Sequence, residues 1–371
     1  MADWGAVRQE FPSLAGWTYL NTATYGQLPR CVMAAVEAHF ARRVKNASSD
    51  FLEWFEDLDG IRASIGRLIH CQAGDIGFFL NAGAALSLVA RAMLRPGDAA
   101  LTLDGEFPNH LYAVQWLDQV ESRLVPWSGF YAALDERVKL VTISTANYST
   151  GFMPPLDGMA EACRKVGATL VIDGTQSLGA LPFDVAKVQP DFFLVDGYKW
   201  MLSPNGATFA YVSPALRKVI PPDIVGWRSD RRWREVASLH HGAPEFKDEA
   251  ERYEGGMLPF PSLYGMGASV NLMLELGPDE IAARVWGLAA YARDVLRRTG
   301  AVLRSDEEAH CDGPIIAARW PGVDVVRLYG QLRERRILTS ARHGNLRVSP
   351  HFYNNEDDID ILGKAIAELL P

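Results

Sequence analysis

Residues 191–200 read DFFLVDGYKW, and they follow TLVIDGTQSLG at 169–179. Each segment opens with an apolar run of strand character. The first ends on Asp173; the second leads to Lys199, set between Tyr198 and Trp200. In a sheet of parallel strands, the carboxyl ends of neighbouring strands face one crevice, where ligands bind. An isolated strand-end aspartate is ordinarily a turn cap, and an isolated lysine is ordinarily solvated. Here the two lie 26 residues apart on successive apolar runs. Aromatic neighbours around Lys199 would desolvate its amine and lower its pKa, a condition that suits Schiff-base chemistry.

Working outward, apolar runs alternate with helical patterns. DIGFFL precedes a helix expected over 84–94, DAALTL (98–103) one over 108–119, and KLVTIS (139–144) the helical LDGMAEACRKVG. Runs of about five apolar residues separated by helices indicate a mostly parallel α/β sheet covered on both faces. Upstream, CVMAAVEAHFARRV and FEDLDGIRASIGRLI repeat apolar residues at helical spacing. Beyond about residue 260 the pattern becomes α+β. Helices are expected at 262–276, 279–299 and 355–369, with strands near 314–318 and 345–349. We therefore expect an N-terminal segment (1–30) packing with a small C-terminal domain (261–371), around a large domain at 31–260.

At 371 residues the chain can bury a sizeable core. A net charge of −8 without basic runs argues against nucleic acid or an anionic membrane as partner. No apolar run approaches a membrane span, and MADWGAVRQEFPSLAG is not a signal peptide, so a cytoplasmic location is expected. Cys31, Cys71, Cys163 and Cys311 are scattered without a C-x-x-C, which suggests neither a metal site nor a disulfide framework. No G-x-G-x-x-G opens a helix after a strand, which excludes a Rossmann dehydrogenase.

Eight segments in order, YLNTATYG, NAGAALSLV, GEFPNHLY, NYSTG, IDGTQSLGA, GYKW, YEGGMLPFPS and LRVSPHFYNNEDDID, cover nearly the whole chain. Together they resemble the class V aminotransferase superfamily, enzymes of fold type I dependent on pyridoxal 5′-phosphate (PLP). That group includes cysteine desulfurases, isopenicillin N epimerase-like proteins and kynureninases. The resemblance implies a large domain with a mostly parallel seven-stranded sheet and a homodimer with active sites at its interface. It implies that Lys199 joins PLP and shuttles the α-proton, and that Asp173 pairs with the pyridine nitrogen. Gln176 would bond the phenolate oxygen, Phe107 would stack on the ring, and Arg347 would grip a substrate carboxylate. The amides of Ala82 and Gly83 and the hydroxyl of Tyr198 would hold the phosphate. Asn21, Thr22, Tyr25 and His110 are the expected substrate contacts, with a small amino acid or related amine as substrate.

Departures from the pattern matter as much. The loop before Arg347, TSARHGNLR, holds no cysteine, so a persulfide-forming desulfurase mechanism is not expected. FPNHLY, NYSTG and the tyrosine before the lysine are similar to kynureninase segments, yet Gln176 stands where those carry histidine. Three hydroxyl ligands of the phosphate are replaced by Gly83, Asp196 and Met257. Transamination is the leading expectation, with a kynureninase-like or C–S lyase, or an epimerase, as alternatives. A non-catalytic, cofactor-poor binding protein is the alternative of another class. The charged segment 226–253 is expected to be a mobile flap, a dimer-facing loop or a solvated insertion.

Overall fold

The structure is a computed structural model that describes residues 2–239 and 242–370. Seven apolar segments form one sheet: β1 (Ile76–Phe79), β2 (Ala99–Leu103), β3 (Glu121–Val125), β4 (Val138–Ser144), β5 (Thr169–Asp173), β6 (Phe192–Asp196) and β7 (Thr208–Val212). Their spatial order is β1-β7-β6-β5-β4-β2-β3. Only β7 runs antiparallel to its neighbours; the other adjacent pairs are parallel.

Side-chain alternation explains why the central strands read as unbroken apolar runs. Leu170, Ile172, Phe193 and Val195 pack into the core on one face. Val171, Phe192 and Leu194 pack into a second core on the other. The edge strand β3, ESRLV, is half exposed and polar, so it carries no such signal. Register sets the edge where chemistry can gather. Ser144 lies opposite Asp173, and Asp173 opposite Leu194, so the carboxyl ends of β4, β5 and β6 lie side by side.

A four-stranded antiparallel sheet, in the order Ser340–Arg342, Asn345–Val348, Ile316–Arg319, Val302–Leu303, builds the smaller unit. The N-terminal strand Thr18–Tyr19 pairs in parallel with Ile337–Leu338, and Asn21 bridges Ser349. A domain boundary was expected at residue 261. Helix Phe260–Leu276 sends Phe260, Leu263, Met266 and Val270 into the large core. The change of core falls within helix Pro278–Arg298, where Val285 joins the large core and Leu288 the small one. Helical periodicity marks where a helix begins, not which core it enters.

Segment 226–253, expected as a mobile flap, a dimer-facing loop or a solvated insertion, is exposed over most of its described length but anchored by buried Arg228, Trp233 and Lys247. Arg228 is buried and pairs with Glu251 at 2.5 Å and Glu254 at 3.0 Å. Glu254 in turn pairs with buried Arg62 at 2.6 Å and accepts from the Phe78 amide at 3.0 Å. The Arg228 guanidinium lies 4.3 Å from the Phe55 ring centre and 4.8 Å from that of Trp233. Charges this deep are tolerated because each finds a partner of opposite sign and several hydrogen bonds. His240 and His241 of this segment lie outside the described residues.

Candidate active site

Lys199 sits on a turn that follows β6. The turn is clamped from outside by the N-terminal segment, where the Gly26 amide donates to the Tyr198 carbonyl at 2.9 Å. A Cβ on Gly26 would lie 2.0 Å from the Lys199 carbonyl oxygen, so this approach requires glycine. Tyr25 packs its ring 4.8 Å from that of Tyr198. Lys199 itself is 7% exposed, with Nζ 5.3 Å from the Phe107 ring centre and 5.4 Å from that of Tyr198. Burial lowers its pKa to about 8, against the opposing pull of Asp173 and with the help of Arg347. The lysine is a buried amine held where a free base can be had near neutral pH.

Asp173 lines the same cavity and is buried. Its Oδ1 accepts from the Thr175 amide at 2.8 Å, and its Oδ2 stands 3.3 Å from His110 Nε2. Burial, the largest influence, pushes this carboxyl up, but the bond and charge of His110 and the bonds from Thr175 outweigh it. The net result lies below the usual carboxylate range. His110 is supported in turn: its Nδ1 meets the Thr142 hydroxyl at 2.5 Å, and Ser144 Oγ is 3.3 Å from Nε2. Burial alone would discharge His110, but Glu106 and Asp173 reverse this and raise its pKa. Glu106 accepts from the Ser144 amide at 2.9 Å, the Ser144 hydroxyl at 2.8 Å and the Phe107 amide at 2.8 Å. Glu106, Ser144, His110 and Asp173 thus form one buried chain of alternating charge and hydrogen bonds beneath the cavity.

This geometry corrects two of the expected substrate contacts. His110 is 1% exposed and does not line the cavity; it backs Asp173. Thr22 is fully buried with its hydroxyl on Tyr353 OH at 2.7 Å, so it packs the N-terminal segment onto the small unit. Asn21 accepts from Thr24 at 2.9 Å and faces Arg347 Nη2 at 3.4 Å. Tyr25 is half exposed at the edge of the Tyr198 ring. Glu106, Thr142 and Ser144 escaped the sequence reading. Only its place one residue before Phe107, at the entry to helix Pro108–Gln115, could have signalled Glu106.

The remaining residues surround the Lys199–Asp173 space. Phe107 caps helix Pro108–Gln115 and meets Tyr148 edge to face at 5.2 Å. Gln176 is fixed at both ends, donating to the Ala23 carbonyl at 3.2 Å and accepting from Trp200 at 3.1 Å. Ala82 and Gly83 open helix Ala82–Met93, whose N-cap, Asn81, accepts from the Ala84 amide at 2.9 Å. Arg347 is 1% exposed; it donates to the Tyr148 carbonyl at 2.5 Å and to the Thr24 hydroxyl. Its Nε is buried without a partner, and among the described residues no carboxylate lies within 4 Å. Burial pulls its pKa down to about 9, with Arg342 adding to the effect. A buried guanidinium lacking an acid is poised for an incoming carboxylate.

These features fit PLP: an amine for its aldehyde, an ionised acid for its ring nitrogen, an aromatic face and helix-start amides for its phosphate. Together with the sheet, they define a PLP-dependent enzyme of fold type I. The chain belongs to the class V aminotransferase family, whose profile matches residues 18–362. It is 28% identical to isopenicillin N epimerase of Streptomyces clavuligerus, over 100% of this chain and 99% of that protein. It is 23% identical to a probable cysteine desulfurase of Methanothermobacter thermautotrophicus, over 98% and 97% of the two chains. A mutant of C-DES with glycine covalently linked to its PLP cofactor has the same fold, with a TM-score of 0.89 at 21% identity over 97% of this chain and 99% of that one. Among the described residues no helix is long and apolar enough to cross a membrane.

Proposed function

We propose that this protein uses PLP on an amino acid bearing a free α-carboxylate, with transamination as its reaction. The observation that carries this reading is Lys199, buried between two aromatic rings with its pKa lowered to about 8, in the cavity that Asp173 also lines. When bound, PLP supplies an electron sink for the carbanion formed at the substrate Cα. Lys199 holds the cofactor and, once released, moves the α-proton as a base of suitable strength. Asp173, kept ionised by His110, holds a proton on the pyridine nitrogen. Phe107 covers the ring, and Gln176 offers its remaining amide hydrogen to the phenolate side. Arg347 aligns the substrate by its carboxylate, fixing which Cα bond faces Lys199.

The family likeness to an epimerase gives a second reading, in which the α-proton is returned to Cα and no amino group is transferred. A desulfurase reading lacks its nucleophile. No cysteine lines the cavity, and burial pushes the thiols of Cys71, Cys163 and Cys311 up to about 12. A non-catalytic scaffold would leave the buried Lys199 and Asp173 without a physical reason.

We read the protein as a cytoplasmic homodimer. Met33, Phe40 and Val44 are exposed on one face of helix Arg30–Asn46, and Met257 is exposed in segment 253–262, which the family reading sends to the partner's site. The activity is tested by recording the visible spectrum of the purified protein while amino acids and 2-oxo acids are added singly. A new band and 2-oxo acid formation support transamination, and racemisation without oxo acid supports the epimerase reading. A colourless protein that PLP cannot reconstitute refutes both.

A further inference from the structure

One acid lining the cavity plays no part in the reading above. Asp196 ends β6 three residues before Lys199. Its Oδ1 accepts from the Thr208 hydroxyl at 2.9 Å, and its own amide donates to Thr175 Oγ1 at 2.9 Å, so strand and side chain are both fixed. Its Oδ2 stands 3.5 Å from the Ala82 amide, at the start of helix Ala82–Met93. A carboxylate oxygen therefore occupies the approach to the amides that would receive a phosphate. Among the described residues no cation lies within 4 Å of it. Lys199, Asp173 and Tyr198 are the ionisable groups that act on it from the surrounding elements. Burial is the main influence on its carboxyl and pushes it upward.

A dianionic phosphate cannot settle against a fixed, ionised carboxylate that lacks a counter-ion. As a neutral acid, the same group supplies the O–H that the sequence otherwise lacks at Gly83 and Met257. We propose that Asp196 receives the cofactor's phosphate as a protonated acid, taking one proton from solvent on binding and donating its O–H to a phosphate oxygen. The proposal rests on the PLP reading of the Lys199 cavity. It makes cofactor loading proton-linked, with retention falling as pH rises through a range where the phosphate is already a dianion (second pKa about 6).

The test uses cofactor-free full-length protein titrated calorimetrically with pyridoxine 5′-phosphate, which carries the phosphate but cannot join a lysine. Titrations run from pH 7 to 9 in two buffers of different ionisation enthalpy, which counts protons taken up. Lys199 titrates in the same window, so the quantity read is the difference between wild type and the Asp196→Ser and Asp196→Asn variants. The wild type should take up close to one proton more than either variant and lose affinity up to about tenfold more per pH unit. Both variants should bind at least tenfold more tightly than wild type at pH 9. Two replacements of different shape guard against a folding defect in one. Equal proton counts and equal affinities in all three proteins, with PLP itself still producing a visible band, overturn the inference alone. Failure of all three to bind either ligand overturns the site reading and the inference with it.

Discussion

Replacing His110 with phenylalanine tests how the cavity keeps Asp173 charged. The ring is fully enclosed, so Phe preserves most of the packing while removing the 3.3 Å contact to Asp173 and the contact to Thr142. A hydrogen bond to a charged group contributes ~1.5–3 kcal/mol, and about 1.4 kcal/mol corresponds to one pH unit. The length of this bond favours the lower half of that range. Asp173 should therefore titrate about one to two pH units higher in His110→Phe, and the unopposed burial acts in the same direction. The assay is kcat/KM of the PLP-loaded enzyme from pH 4.5 to 8. Wild type should show no Asp173 limb in that window, and the variant should lose activity as pH falls toward 5. Glu106→Gln should move the limb the same way but less, because Glu106 acts on Asp173 through His110. Superimposable profiles for wild type and His110→Phe would refute the argument. Stability carries an independent sign. Asp173, with its folded pKa depressed, contributes stability above the unfolded value of about 3.9 that is lost as pH falls through the folded one. His110, with its folded pKa raised, contributes stability that is full below about 6.5 and lost as pH rises through the folded value. The stability gap between wild type and His110→Phe should therefore narrow on raising the pH above neutrality.

Further outcomes follow from other contacts. Arg347→Ala should raise KM for an amino acid by about a hundredfold or more while sparing a simple amine, as expected for loss of two charge-assisted bonds; equal effects on both would count against the carboxylate role. In cofactor-free protein, Lys199→Met should raise stability at pH 7 by up to ~3 kcal/mol, because burial of a charged amine is relieved. Denaturant melts should show that advantage shrinking as pH rises from about 8 toward 10.5, where the wild-type amine is neutral in both states. Glu254→Gln should destabilise by about 3–5 kcal/mol, since Arg62 and Arg228 are left buried without that charge; a melting temperature within a degree of wild type would show that the segment is not anchored there. Gly26→Ala should weaken PLP retention by displacing the Lys199 turn, read as faster loss of the visible band on dialysis.

Much of the frame was legible because it is local. Asp173 and Lys199 end apolar strands, and unbroken apolar runs arise only when both faces of a sheet are covered. The supports beneath them were not legible. Glu106 bonds Ser144, Ser144 meets His110 and His110 meets Asp173 across separations of 34 to 63 residues in sequence, and nothing in their own neighbourhoods fixes their direction. His110 lies on the short helix begun by Phe107, which made the cavity its expected destination; the helix turns it under the sheet edge instead. Segment 226–253 looked solvated because its charges are visible in sequence; most are exposed, but Arg228 and Lys247 are buried through pairing with Glu251 and Glu254, which the local pattern does not reveal. Asp196 was conspicuous in sequence as a departure, and the Thr208 and Ala82 contacts gave it a direction.

The claim on which the rest depends is that Lys199 carries the cofactor. Purified protein loaded with PLP, reduced with borohydride, digested and sequenced by mass spectrometry should carry the phosphopyridoxyl group on the peptide containing Gly197–Trp200, with Lys199→Ala unlabelled. A label on another lysine, or an equal label in the variant, would contradict the account.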